Sequence, residues 1–144
     1  MRILAIDLGE KRVGLAVSDP LGFTAQGLES YMRKHKPEDF DHIRGICREK
    51  KVSKCVVGLP LLMNGDMGPK AQEALKWVEE LKKKLDCEVV TWDERLTTRQ
   101  ATRLMIDQGL SRQKQKDRAD QLSAILILQS YLDTHRPPRP EEAF

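Results

Sequence analysis

Arg2-Ile3-Leu4-Ala5-Ile6-Asp7-Leu8-Gly9-Glu10-Lys11-Arg12-Val13-Gly14-Leu15-Ala16-Val17-Ser18-Asp19 opens the chain and decides how the rest is read. Two apolar runs rich in Ile, Leu and Val flank Gly9-Glu10-Lys11-Arg12, the pattern of strand, tight turn, strand. Asp7 interrupts the first run. A polar group buried without a partner costs of order 2–7 kcal/mol. Either a cation meets Asp7, or its carboxylate accepts hydrogen bonds as a turn residue before Gly9.

Working outward, Leu21 to Tyr31 alternates as a third strand, and the basic run Arg33-Lys34-His35-Lys36 before Pro37 reads as a solvated connection. Phe40, Ile43, Ile46 and Cys47 predict a helix from about Glu38 to Lys50. Cys55-Val56-Val57-Gly58-Leu59-Pro60 has the continuous apolar character of a parallel strand buried on both faces. Pro69 suits the first turn of a second helix, whose stripe is Ala71, Ala74, Leu75, Val78, Leu81 and Leu85. Glu88 to Trp92 forms the fifth strand and delivers Asp93-Glu94-Arg95-Leu96-Thr97-Thr98 at its C-terminal end. Thr97 or Thr98 can cap a helix carrying Ala101, Leu104, Met105 and Ile106, closed by Gly109. Ser111 to Arg118 is polar, basic and aperiodic, and a last helix is expected from about Asp117 to Thr134. This order predicts an α/β fold with a mixed five-stranded sheet flanked by helices. The first three strands are antiparallel, and the fourth and fifth run parallel to the first. Asp7 and Glu94 then fall at one edge, where α/β proteins place their sites.

A chain of 144 residues fits one domain, expected over residues 1–135, with 136–144 a disordered C-terminal tail. No apolar run approaches the roughly 20 residues of a membrane span, and the chain enters a strand at once instead of a signal peptide, so a cytoplasmic location without membrane partners is expected. Cys47, Cys55 and Cys87 are odd in number and lack the close paired spacing of a zinc site, which predicts reduced core residues. A net charge of +3 permits a nucleic-acid partner without demanding one. A monomer or weak homodimer is expected.

The last helix offers a third acid. Asp120 heads a stripe with Ala124, Ile127, Leu128 and Tyr131 at spacings of three and four, so it points toward the sheet. A helix N-terminus by itself favours an acid by roughly 0.3–1 kcal/mol, which suffices to explain Asp117. Three carboxylates converging on one edge repel one another unless a divalent cation is bound, and Mg²⁺ or Mn²⁺ prefers such oxygen ligands. Two such ions about 3.5–4 Å apart activate a water and stabilise the leaving oxygen of a phosphodiester. Lys11, Arg12, Arg95, Arg112, Lys114 and Lys116 fall in segments that can border this edge and offset phosphate charge, although a solvated surface is the commoner fate of such residues.

Asp7-Leu8-Gly9 with Lys11-Arg12-Val13-Gly14-Leu15-Ala16 and Ser18-Asp19, then Gly58-Leu59-Pro60 with Asn64-Gly65, Asp93-Glu94-Arg95-Leu96-Thr97-Thr98, and Asp120 leading into Ile125-Leu126 and Tyr131-Leu132, resembles the bacterial YqgF (RuvX) family over nearly the whole chain. The resemblance implies an RNase H-like fold. It also implies a Holliday-junction-resolvase-like nuclease that matures the 5′ end of precursor 16S ribosomal RNA, a step of ribosome biogenesis. By the same resemblance Asp7, Glu94 and Asp120 are the catalytic, metal-binding acids, and Asp117 is a candidate fourth ligand at a place that is commonly basic. Ser123 stands where the family usually has alanine. The alternatives are a resolvase acting on branched DNA and a nucleic-acid-binding module that does not cleave. A sugar kinase or actin-like ATPase shares the Asp-x-Gly turn, but this chain is too short for their two-lobed cleft.

Overall fold

The computed structural model describes residues 2–96 and 112–135, and of residue 96 and residues 112–120 it describes the backbone. The elements are β1 (Arg2–Leu8), β2 (Arg12–Ser18), β3 (Ala25–Met32), α1 (Lys36–Glu49), β4 (Val52–Leu59), α2 (Pro69–Lys82), β5 (Glu88–Asp93), a 3₁₀ turn at Glu94–Leu96, and α3 (Arg112–His135). The helix expected around Ala101 to Ile106, with its Thr97 or Thr98 cap, lies outside the described residues, as does the tail 136–144. Five strands form one sheet in the order β3-β2-β1-β4-β5. β1 pairs antiparallel with β2 and parallel with β4, and β4 pairs parallel with β5; the directions are those the order of elements predicts.

Three elements start three or more residues from the sequence reading, among them β4, which begins at Val52 rather than Cys55. β3 begins at Ala25 rather than Leu21, because the Asp19 carboxylate accepts the N–H groups of Leu21, Phe23 and Thr24 at 3.2, 2.8 and 2.8 Å and holds the chain in a turn. Gly22 supplies the left-handed residue of that turn, with φ of +78°. The last helix begins at Arg112, within the segment read as an aperiodic loop. Arg, Gln and Lys lose little rotamer freedom in a helix, so a lack of apolar anchors does not stop one.

Alternation along the strands sorts the core into two unlike faces. Leu4, Ile6, Val13, Leu15, Val17 and Val57 bear large side chains toward α1 and α2, which answer with Phe40, Ile43, Trp77, Val78 and Leu81. Trp77 is buried in α2, whereas Leu75 of the expected stripe is half-buried. The other face is built of small residues. Ala5, Ala16 and Val56 pack on Ala124, Ile127, Leu128, Tyr131 and Leu132 of α3. Gly27 extends this surface, and a Cβ there would lie 3.1 Å from Ile125 Cδ1. α3 therefore approaches the sheet closely. Leu128, with no exposed surface, anchors it, and Leu128→Ala is expected to cost about 2–5 kcal/mol, read as a lowered urea midpoint.

Candidate active site

Asp7 lies near the end of β1, opposite Gly14 of β2. On its other side runs β4, where Val57 pairs with Ile6 and Gly58 follows. Alternation puts Asp7 on the same face as Ala5, beneath α3. Glu94 leaves β5 one residue after Asp93, which pairs with Leu59. Its side chain lies back across β4 above Gly58. A Cβ on Gly58 would run into Glu94 Oε1 and stand 2.7 Å from both Glu94 Cγ and Ile127 Cδ1, so this position must be glycine for Glu94 to lie there.

The two acids share a hydrogen bond, and the Ser123 hydroxyl of α3 donates a second one to Asp7. Burial pushes the Asp7 carboxyl above its ordinary range, and the bonds from Glu94 and Ser123 oppose that rise. Burial, the charge of Asp7, their mutual hydrogen bond and the charge of Asp93 push Glu94 up to about 8. Near neutral pH Glu94 accordingly carries the proton and donates it to Asp7, the expected outcome for two carboxyl groups crowded into one partly buried place.

Around the pair, Glu94 lines a cleft of about 360 Å³ with Gly9, Glu10, Arg33, Pro60 and Lys70. Arg33 donates from Nη1 to the Gly9 carbonyl at 2.7 Å, and its own N–H reaches the Lys11 carbonyl at 2.8 Å. It belongs to the run read as a solvated connection, and its basic character was the one signal that could have singled it out. Lys70 pairs with Glu10 across 3.7 Å, both well exposed. Lys11 and Arg12 close the β1–β2 turn that follows Asp7. Arg95 is engaged by its neighbour: Nη2 and Nε donate to Asp93 Oδ2 at 2.7 and 2.9 Å, and Nη1 to the Met63 carbonyl at 3.3 Å. The Arg95 guanidinium in turn holds the Asp93 carboxyl low. Arg112, Lys114, Lys116, Asp117 and Asp120 stand in the first turns of α3, and their side chains lie outside the described atoms. Asp120 precedes Ser123 by three residues in that helix.

The model of the family described as "RuvX: Holliday junction resolvase" matches residues 1–134. The chain belongs to that family. Relatives of this RuvX chain named "Putative pre-16S rRNA nuclease" include one from Clostridium tetani, 48% identical over 93% of this chain and 97% of its own. Another, from Syntrophomonas wolfei, is 47% identical over 92% and 94%. Among solved structures, Thermus thermophilus RuvC in complex with Holliday junction substrate is 19% identical and superposes with a TM-score of 0.56, covering 96% of this chain and 99% of that one. Fowlpox virus resolvase with junction DNA is 11% identical, with a TM-score of 0.58 over 93% and 98%. These likenesses establish the RNase H-like fold of this RuvX protein, and its family is one of nucleases.

The raised Glu94 pKa has a defined consequence for stability. The ordinary value is 4.5 and the folded value about 8, so the contribution of protonated Glu94 is complete below about pH 4.5 and is lost as pH rises through about 8. In EDTA, wild type should lose melting temperature between pH 5 and 9 relative to Glu94→Gln, the variant being the more stable at pH 9. Parallel melting curves for the two proteins would contradict this.

Proposed function

We propose that this RuvX protein is a divalent-metal-dependent endonuclease for structured nucleic acid, acting at the 5′ end of precursor 16S ribosomal RNA. The observation that carries the reading is the convergence of Asp7 and Glu94 over Gly58, at the edge where the parallel strands end. Two carboxylates and the Ser123 hydroxyl are hard oxygen donors, a set that suits Mg²⁺ or Mn²⁺. Asp7 and Glu94, with Asp120 from α3, would hold the metal. Bound there, a divalent pair supplies an activated water and charge stabilisation for the leaving oxygen of a phosphodiester.

The remaining work falls to the chain's own residues. Gly58 leaves the space in which Glu94 lies against Asp7. Arg33 and Lys70 border the cleft and would meet phosphate oxygens, with Lys11 in the adjoining β1–β2 turn; the exposed Lys70–Glu10 pair is worth at most about 1 kcal/mol, so an incoming phosphate displaces Glu10 at little cost. Arg112, Lys114 and Lys116, whose backbone stands in the opening turns of α3, would add positive charge for phosphate. The names of the curated relatives favour the ribosomal RNA substrate. Branched DNA is the second reading, favoured by the family's description as a Holliday junction resolvase.

Cleavage of a precursor 16S 5′ end and of a four-way junction, side by side with Mg²⁺, Mn²⁺ or EDTA, tests the reading. RNA cleavage that needs the metal is expected. Asp7→Asn should lower turnover by at least about 10³-fold while binding persists, because an anionic ligand is lost but the phosphate contacts remain. Wild-type turnover in Asp7→Asn would overturn the assignment of the nuclease reaction to this site. Gly58→Ala should also abolish turnover, by displacing Glu94. Lys114→Ala with Lys116→Ala should instead weaken binding to all sequences and flatten its salt dependence by about one unit of slope per lost phosphate contact.

A further inference from the structure

Cys47 in the last turn of α1, Cys55 in β4 and Cys87 just before β5 bring three thiols together from three elements. Cys55 Sγ lies 3.6 Å from Cys47 Sγ and 3.7 Å from Cys87 Sγ, and all three sulfurs are within 4.8 Å of one another. Ligands placed about 2.3 Å from a tetrahedral zinc ion are separated by about 3.8 Å along each edge. Two edges of the thiol triangle already have that length. Cys87 is only half-buried, so a small side-chain rotation closes the third.

We propose that Cys47, Cys55 and Cys87 form a three-thiolate site for Zn²⁺, separate from the acids that the nuclease reading uses. Cys55 and Val57 face α1 and α2, whereas Asp7 and Glu94 lie on the α3 face. Three residues of strand, about 10 Å, also separate Cys55 from Gly58. As small apolar residues, cysteines would pack against carbon. Here each sulfur has another sulfur as a polar neighbour, and no disulfide joins any of them. A cleft of about 210 Å³ lined by Cys47, Cys87, Arg44, Arg48, Lys51 and Asp86 gives the ion a route and gives a water the fourth position. Three thiolates around Zn²⁺ carry a net charge of −1, which the basic residues of the cleft offset. Softness sorts the metals: thiolates select zinc, and carboxylates select magnesium or manganese. A filled site would tie α1 to β4 and β5 at the end of the sheet remote from the acids.

Reduced, metal-free full-length protein, titrated anaerobically with Co²⁺ in excess Mg²⁺, tests the proposal. A near-ultraviolet thiolate-to-cobalt charge-transfer band should saturate at one equivalent and vanish when one equivalent of Zn²⁺ is added. Cys87→Ser should lose most of the band, and Asp7→Asn should retain it. Zinc-loaded wild type should release its ion in step with mercurial titration of its thiols, a readout that holds even if a cysteine variant fails to fold. Absence of the band, an undiminished band in folded Cys87→Ser, or zinc release uncoupled from thiol modification would overturn the site.

Discussion

A carboxyl group on β1 and one in the turn after β5 share a hydrogen bond here because the strand between them has no side chain at the crossing point. β4 separates β1 from β5, and neighbouring strands lie about 4.8 Å apart, so an acid following β5 must reach back over β4 to meet Asp7. Glu94 has the extra methylene that this reach requires, and Gly58 clears its path. The arrangement opposes folding when no cation is present. It crowds like charges into a partly buried place, and the proton retained by Glu94 is the sign of that crowding.

What holds the acids together against their repulsion is the packing of α3. The face below it is furnished with Ala5, Ala16 and Gly27, so the helix descends far enough for Ser123 to donate to Asp7. Ile127 Cδ1 closes over Gly58 from above, so one glycine serves both the helix contact and the acid pair. Core packing and site geometry are therefore a single constraint on this face. The opposite face, with Leu, Ile, Val and Trp77 against α1 and α2, is free of it and is packed with large side chains.

Solved resolvase structures at 11–19% identity keep the same arrangement of sheet and helices, whereas curated RuvX relatives retain 46–48% identity over almost their full length. A fold tolerates extensive change in its side chains so long as volume and alternation persist. Its chemistry resides in a few positions placed on it. In this chain Asp7 and Glu94 meet at one sheet edge, and Arg33 from the segment before α1 and Lys70 from the start of α2 line the cleft beside them.

The sequence by itself determined the order of elements along the chain, the directions of the strands and the presence of Asp7 and Glu94 at a common edge. Periodicity, Pro69 and the hairpin turn are local signals, each encoded within a few residues. It also carried the family, through blocks such as Asp93-Glu94-Arg95-Leu96-Thr97-Thr98 that are specific as written. Only the tertiary structure decided that Gly58 is the space Glu94 occupies, that Ser123 bonds to Asp7, and that Arg33 lines the cleft while Arg95 is bound to Asp93. The three cysteines show the same division, for their spacings in sequence resemble no metal motif, yet α1, β4 and the start of β5 bring their sulfurs within 4.8 Å. Such contacts depend on strand register and on the depth to which helices pack, quantities summed over the whole chain and written in no short stretch of it.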